Sequence, residues 1–233
     1  MTTTTTTTRT SKYFWMAILL TVLAGIATVA VYPQLPAMVP THWNINNQVN
    51  GYSPRSILFI FGPGMMSFII LLTSVLPWLS PKHFELDTFR DTYLYIMLLI
   101  VTLMGYAYSV ILWVGTGHEM NVGRAIIGGV SLLFILLGNV MGKLRRNFYF
   151  GVRTPWALAN ERVWNATHRF AAKTFVVAGL IGFLLALFDV TGWIPIIPLS
   201  AAALIPVIYS LVIYKQMEKR GELSTPSPLG GAR

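Results

Sequence analysis

Apolar residues in this chain gather into six long runs, Tyr13–Val31, Ile57–Leu79, Tyr93–Val114, Ala125–Val140, Phe170–Val190 and Trp193–Tyr214, with polar stretches between them. A helix needs about 20 apolar residues to cross the hydrocarbon of a bilayer. Inside lipid the backbone must satisfy its own hydrogen bonds, and a helix does so. The runs therefore predict six transmembrane helices, the fourth continuing through Gly142. Tyr13, Phe14, Trp15, Trp78, Tyr93, Tyr95, Trp113, Trp193 and Tyr214 fall near run ends, where amphipathic rings settle at the headgroups. The fold class expected is an all-α polytopic membrane helical bundle.

Composition supports the pattern. Of 233 residues, 55% are hydrophobic and 11% charged, with mean hydropathy +0.62; a soluble domain spends about a quarter of its residues on charge. The chain has no Cys, which excludes disulfides, thiolate metal sites and Cys nucleophiles. A formal charge of +9 and a pI near 10.0 would suit nucleic acid, but the cations flank apolar runs. They read as topology signals and anionic-lipid contacts, with no direct nucleic-acid partner.

Fifteen of the 17 Lys and Arg residues fall on one side when the loops are counted alternately, leaving only Arg55 and Arg124 on the other. This partition predicts that both termini and the long basic loop are cytoplasmic. The first run is longer than a signal-peptide core and lacks a small-x-small site after Tyr32-Pro33, so an uncleaved anchor is expected. Residues 1–12 read as a disordered Thr-rich tail and 13–80 as two spans with an extracytoplasmic Pro-rich cap at 32–55. Residues 81–215 read as a four-span region with a basic cytoplasmic loop at 143–170, and 216–233 as a cytoplasmic tail that is floppy from Ser224.

The cap carries Pro33, Pro36, Pro40 and Pro54, which discourage helix, and turn signals at Asn46-Asn47 and Asn50-Gly51. Its candidate ligand-contacting residues are Pro40, His42, Trp43, Asn44, Gly51 and Tyr52. In the alternative reading, Trp43 and Tyr52 anchor at headgroups while His42 and Asn44 hydrogen-bond the turn.

The stretch Gly138–Lys173 is the chemically richest. It holds seven Lys/Arg against one acid, Glu161, and so carries +6 of the formal charge. Gly138 and Gly142 have the small-x-x-x-small spacing that lets helices approach closely. Pro155 is expected to break regular structure. From about Ala157 the periodicity predicts an interfacial helix leading into the fifth span, with Asn160, Trp164 and His168 on one face. Glu161 is placed to pair with Arg153, Arg145 or Arg146, and Trp156 or Trp164 to lie over a guanidinium. The candidate functional motif comprises Asn147, Gly151, Arg153, Thr154, Pro155, Trp156, Asn160, Glu161, Trp164, His168 and Arg169. A purely structural network is the competing reading.

Gly151-Val152-Arg153-Thr154-Pro155-Trp156, followed by Leu158, Glu161, Val163-Trp164, Arg169-Phe170 and Lys173, resembles the SdpI-like family of bacterial immunity membrane proteins, as does Gly138-Asn139. Leu35-Pro36, Val39-Pro40-Thr41-His42-Trp43 and Gly51-Tyr52 look like the small domain of unknown function at the N-terminus of many members. Ala157 stands where the family usually has Thr. The resemblance implies a multi-pass protein of the bacterial plasma membrane that protects its producer from a secreted antimicrobial peptide toxin. It further implies a sensor that holds a cytoplasmic transcriptional repressor at the membrane.

Two other classes stay open on the residues alone. Glu161 and His168, on neighbouring helical strips, could form an acid/base pair, and the arginines could hold a phosphate, as in a membrane enzyme or a transporter of a lipidic or anionic ligand. Against this, the centres of the spans hold no Asp, Glu, Lys, Arg or His, which pumps and ion-coupled carriers usually need. No HExxH, P-loop or GxSxG pattern occurs, and His42 and His168 are expected on opposite membrane faces, so neither cofactor nor metal is expected. The last class is a housekeeping protein binding lipid headgroups at the basic loop.

Overall fold

The computed structural model describes residues 11–82, 84–190 and 192–223. The Thr2–Thr8 run and the Ser224–Arg233 tail lie outside them. The helices are α1 (Lys12–Val31), α2 (Met65–Leu79), α3 (Arg90–Gly115), α4 (Val122–Met141), α5 (Pro155–Ala159), α6 (Glu161–Leu187) and α7 (Ile196–Lys219). All but α5 belong to the six segments that, among the described residues, are long and apolar enough to cross a membrane, the second of which runs Arg55–Leu79 and includes a wide π turn at Ile60–Gly64. Pro63 sits inside that turn. Lacking an N–H and crowding the preceding carbonyls, a proline is accommodated by such a local widening.

The all-α expectation needs one addition. The Pro-rich cap is an antiparallel hairpin, β1 (Met38–Trp43) and β2 (Val49–Pro54), paired Met38 with Pro54 through Trp43 with Val49 and irregular around His42. Its prolines are tolerated because both strands of a two-stranded sheet are edges.

The chain forms two compact units. One contains the residues up to Leu79 together with Arg90–Gly129. Here Val39, the hairpin's fully buried side chain, packs with Leu35, Leu58, Tyr108 and Leu112. A second cluster joins Ala17, Met66, Leu98 and Val101. Gly62 lets the Tyr108 ring lie on the π turn, for a Cβ would overlap it. Thr28 donates to the Ala24 carbonyl (2.7 Å), so Tyr108 supplies the proton of the 2.6 Å bond between their hydroxyls. Tyr93 Oη donates to the Thr73 carbonyl at 2.6 Å.

The other unit contains Ser80–Phe89 and the chain from Val130. Glycines let α4 and α6 approach. A Cβ on Gly138 would lie 2.6 Å from Val176 Cγ2, and one on Gly179 would lie 2.6 Å from the Ser131 carbonyl oxygen. Lipid gives no hydrophobic driving force between helices, so such close packing supplies the attraction. Ala178, Leu199 and Ala202 form a core with Val130, Phe134 and Phe175, and Phe170 stacks on Tyr209 at 4.3 Å. At about 1.5 Å per residue, the 27 residues of α6 exceed a hydrocarbon thickness of about 30 Å. The helix expected from Ala157 begins instead at Glu161 and runs unbroken into the span.

Candidate functional site

The inner loop is built by polar side chains that bond backbone. Beyond α4, the Lys143 and Leu144 amides return to the Val140 and Met141 carbonyls (2.9 and 3.2 Å). Asn147 is completely buried. Its Oδ1 accepts from the Tyr149 and Phe150 amides (2.8 and 2.7 Å), and its Nδ2 donates to the Arg145 and Phe150 carbonyls (2.9 and 3.3 Å). Only a carboxamide has both donors and acceptors for this.

Gly151 follows with φ +93°, and a Cβ there would fall on His168 Nε2. The Val152 N–H donates to that Nε2 at 3.0 Å, which leaves Nδ1 to carry the proton and donate to the Trp164 carbonyl at 2.8 Å. Two backbone groups thus set the tautomer. Trp164, completely buried, stacks on the His168 ring at 4.0 Å and donates Nε1–H to the Leu144 carbonyl at 2.7 Å.

Thr154 caps α5, its hydroxyl accepting from the Ala157 amide at 3.2 Å. The same hydroxyl lies 2.8 Å from Ser210 Oγ on α7, and Ser210 donates to the Val207 carbonyl (2.6 Å). Thr154 therefore donates to Ser210. Pro155 does not break structure but opens α5 at its first position, where its missing N–H costs nothing. Asn160 separates α5 from α6 with extended backbone and caps α6, accepting from the Arg162 and Val163 amides (2.8 and 3.3 Å).

The arginines diverge. Arg146 donates to the Leu158 carbonyl (3.2 Å) and lies 5.6 Å from the Phe84 ring centre; Arg153 donates to the Phe148 carbonyl (2.7 Å). Arg145 reaches Glu161 at 3.9 Å with both side chains more than half exposed, a pairing worth under about 1 kcal/mol. Among the described residues neither Trp156 nor Trp164 is found over a guanidinium, and Trp164 stacks instead on His168. Glu161 and His168 have separate partners and form no acid/base pair. Lys143, Arg145, Arg153, Arg162, Arg169 and Lys173 are exposed and present cationic charge.

On the hairpin, His42 and Tyr52 are exposed, while Pro40, Trp43, Asn44 and Gly51 are half-buried. His42 Nδ1 hydrogen-bonds Asn50 Oδ1, and Gly51 keeps the opposite position clear, since a Cβ would come 2.8 Å from His42 Cβ. Asn44 Oδ1 accepts from the Asn46 and Gln48 amides (3.0 and 2.9 Å) and its Nδ2 donates to Gln48 Oε1 (2.9 Å). At the tip Asn47 has φ +58° and reaches α4, its Oδ1 accepting from the Val122 and Gly123 amides (2.8 and 3.5 Å). At the hairpin's base, Arg55 Nη1 donates to the Tyr32 and Leu35 carbonyls (3.2 and 3.0 Å), its guanidinium 4.5 Å from the Tyr32 ring centre.

The SdpI/YfhL protein family matches residues 143–210, and a domain of unknown function, DUF1648, matches residues 19–67. Immunity protein SdpI of Bacillus subtilis (strain 168) is 29% identical over 205 residues, covering 88% of this chain and 95% of that relative. Over residues 143–210 the chain is thus similar to the SdpI/YfhL family. No solved structure matches it.

The SdpI/YfhL match contains every inner-loop residue singled out from the sequence, and the DUF1648 match contains the whole hairpin. The chain is a multi-pass membrane protein. Within its inner loop Gly151, Trp164 and His168 come together, as do Asn147 with Arg145, and Arg145 with Glu161. Trp156 and Arg169 lie outside those groupings, half-buried and exposed respectively. Sequence reasoning passed over Leu144 and Ser210, gave Val152 no role beyond the resemblance, and missed Asn47 on the hairpin as a cap. Leu144 and Val152 act through backbone atoms and leave no side-chain signal. Ser210 was visible only as a small polar residue in an apolar span.

Proposed function

We propose that this chain is an immunity protein protecting its producer from a secreted antimicrobial peptide toxin. The observation that carries the reading is the similarity to Immunity protein SdpI along nearly the whole of both chains. The hairpin, with His42, Trp43, Asn44 and Tyr52, is the surface offered to the peptide on the outer face. The inner loop and both termini are cytoplasmic, in keeping with the placement of 15 of 17 cations. The loop's cationic face, with Arg145, Arg153 and Arg169, is offered to a cytoplasmic repressor, and anionic headgroups lie against the same charge. Signalling requires that toxin bind two conformers with different affinity. The separation of Glu161 from His168 supports a non-catalytic role.

Expression in a toxin-sensitive bacterium tests this. The tolerated dose of a membrane-active peptide toxin should rise; unchanged killing across a panel of such peptides would overturn the reading. Since the chain has no Cys, single thiols at Tyr52 and Arg153 test the orientation. An impermeant maleimide should label Tyr52→Cys on intact cells and Arg153→Cys only after lysis.

A further inference from the structure

The first turn of α4 is capped twice. A helix start leaves amides without intrahelical acceptors, and two separate asparagines take those of α4. Asn121, next to the helix in sequence, accepts from the Arg124 amide through its side chain and from the Ala125 amide through its carbonyl, both at 3.0 Å. It does not serve the two amides before them. Those of Val122 and Gly123 go to Asn47 Oδ1, 75 and 76 residues away at the hairpin tip. The Nδ2 of the same side chain donates to the Met120 carbonyl at 3.2 Å. Asn47 is therefore bonded on both sides of the point where the chain enters α4.

The tip that carries Asn47 is itself specified. Its backbone lies in the left-handed region at φ +58°, which Asn tolerates better than most side chains. Its amide donates to the Asn44 carbonyl, and the Asn44 amide donates to the Gln48 carbonyl, each at 2.9 Å. The position of Oδ1 thus depends on the hairpin being closed. An opened or displaced hairpin would take the acceptor away from Val122 and Gly123 while Asn121 still served Arg124.

We propose that Asn47 is a coupling residue that ties the state of the hairpin to the first turn of α4, so that whatever closes the hairpin tightens the start of that helix. By linkage the dependence is reciprocal. It goes beyond the immunity reading and does not rest on it. If a peptide does bind the hairpin, α4 is the helix that registers it.

The test closes the hairpin without any ligand. Thr41 Oγ1 and Ser53 Oγ lie 3.0 Å apart across the strands, and the chain has no Cys of its own. Thr41→Cys with Ser53→Cys therefore gives a lock that oxidation closes and a reductant opens. Hydrogen exchange of the full chain in lipid nanodiscs is compared in the two states. The Val122 and Gly123 amides should exchange about 3- to 30-fold more slowly in the oxidised form, the scale of one capping interaction, while the Arg124 amide is unchanged. In an Asn47→Ala background the oxidised and reduced forms should exchange alike at all three amides. In an Asn47→Asp background the difference should persist, because a carboxylate accepts from the same two amides. Equal exchange of the two forms with Asn47 intact would overturn the proposal, as would an undiminished difference in Asn47→Ala. If Asn47→Ala does not fold, the Asn47 and Asn47→Asp comparisons decide alone. No toxin enters the experiment, so its failure and the failure of the immunity reading are told apart.

Discussion

Replacing Gly151 with Ala adds a single methyl where φ is +93° and where the new carbon would fall on His168 Nε2. Two costs follow. An L-residue in the left-handed region loses about 1–2 kcal/mol. To make room the imidazole must leave, and the buried Val152 N–H loses its acceptor, a penalty of about 1–3 kcal/mol. The total is about 2–5 kcal/mol. Gly117 isolates the first cost, because its φ is +91° and nothing lies within 4 Å of where its Cβ would stand. Gly117→Ala should therefore lose only about 1–2 kcal/mol. Titration with SDS in mixed micelles, followed by helical circular dichroism, ranks the two variants. Adding His168→Ala to Gly151→Ala should cost much less than the sum of the single changes, since the ring that the methyl strikes is gone. A Gly151→Ala penalty no larger than that of Gly117→Ala, or full additivity with His168→Ala, would refute the contact as an energetic feature.

Other perturbations probe the same unit. Trp164→Phe keeps the ring stack but removes the donor to the Leu144 carbonyl, and should cost about 1–3 kcal/mol; Trp164→Ala should cost about 3–5 kcal/mol; the same titration measures both. Thr154→Val loses the α5 cap and the bond to Ser210, for about 0.5–2 kcal/mol, and Ser210→Ala added to it should cost less than it does alone, as a double-mutant cycle would show. Gly138→Leu should push α4 from α6, because even a Cβ would lie 2.6 Å from Val176 Cγ2 and 2.8 Å from the Ala172 carbonyl. Its signature would be a cysteine crosslink between α4 and α6 that forms in the parent and is lost in the variant.

The spans were legible because an apolar run of spanning length has few other meanings in a chain this poor in charge. Their ends were less so. Asn160 and Thr154 act as caps, and a cap inside a polar loop looks like any other polar residue until its amide partners are known. The hairpin was hidden by Pro40 and Pro54, which argue against strand in general but are harmless where no further strand pairs. The Trp164–His168 face was readable from their four-residue spacing. That this face is turned inward, onto Gly151, was not, because the residue that decides it contributes only the absence of a side chain. Asn47 was legible as a turn residue and illegible as a cap, since no local pattern links positions 75 residues apart.

Arg55 is one of two Lys or Arg residues on the cation-poor side of the chain, and its guanidinium closes over the carbonyls of Tyr32 and Leu35. On the proposed orientation, a cation there works during insertion against the gradient that sorts loops across the bilayer. In the folded protein the same cation adds a second donor to the Tyr32 carbonyl, which already accepts from the Leu35 amide, and one to the Leu35 carbonyl in the turn after α1. A neutral side chain would ease threading and strip that collar, while Lys would keep the penalty and surrender the planar fork. Position 55 is thus a compromise between getting into the membrane and staying folded once there.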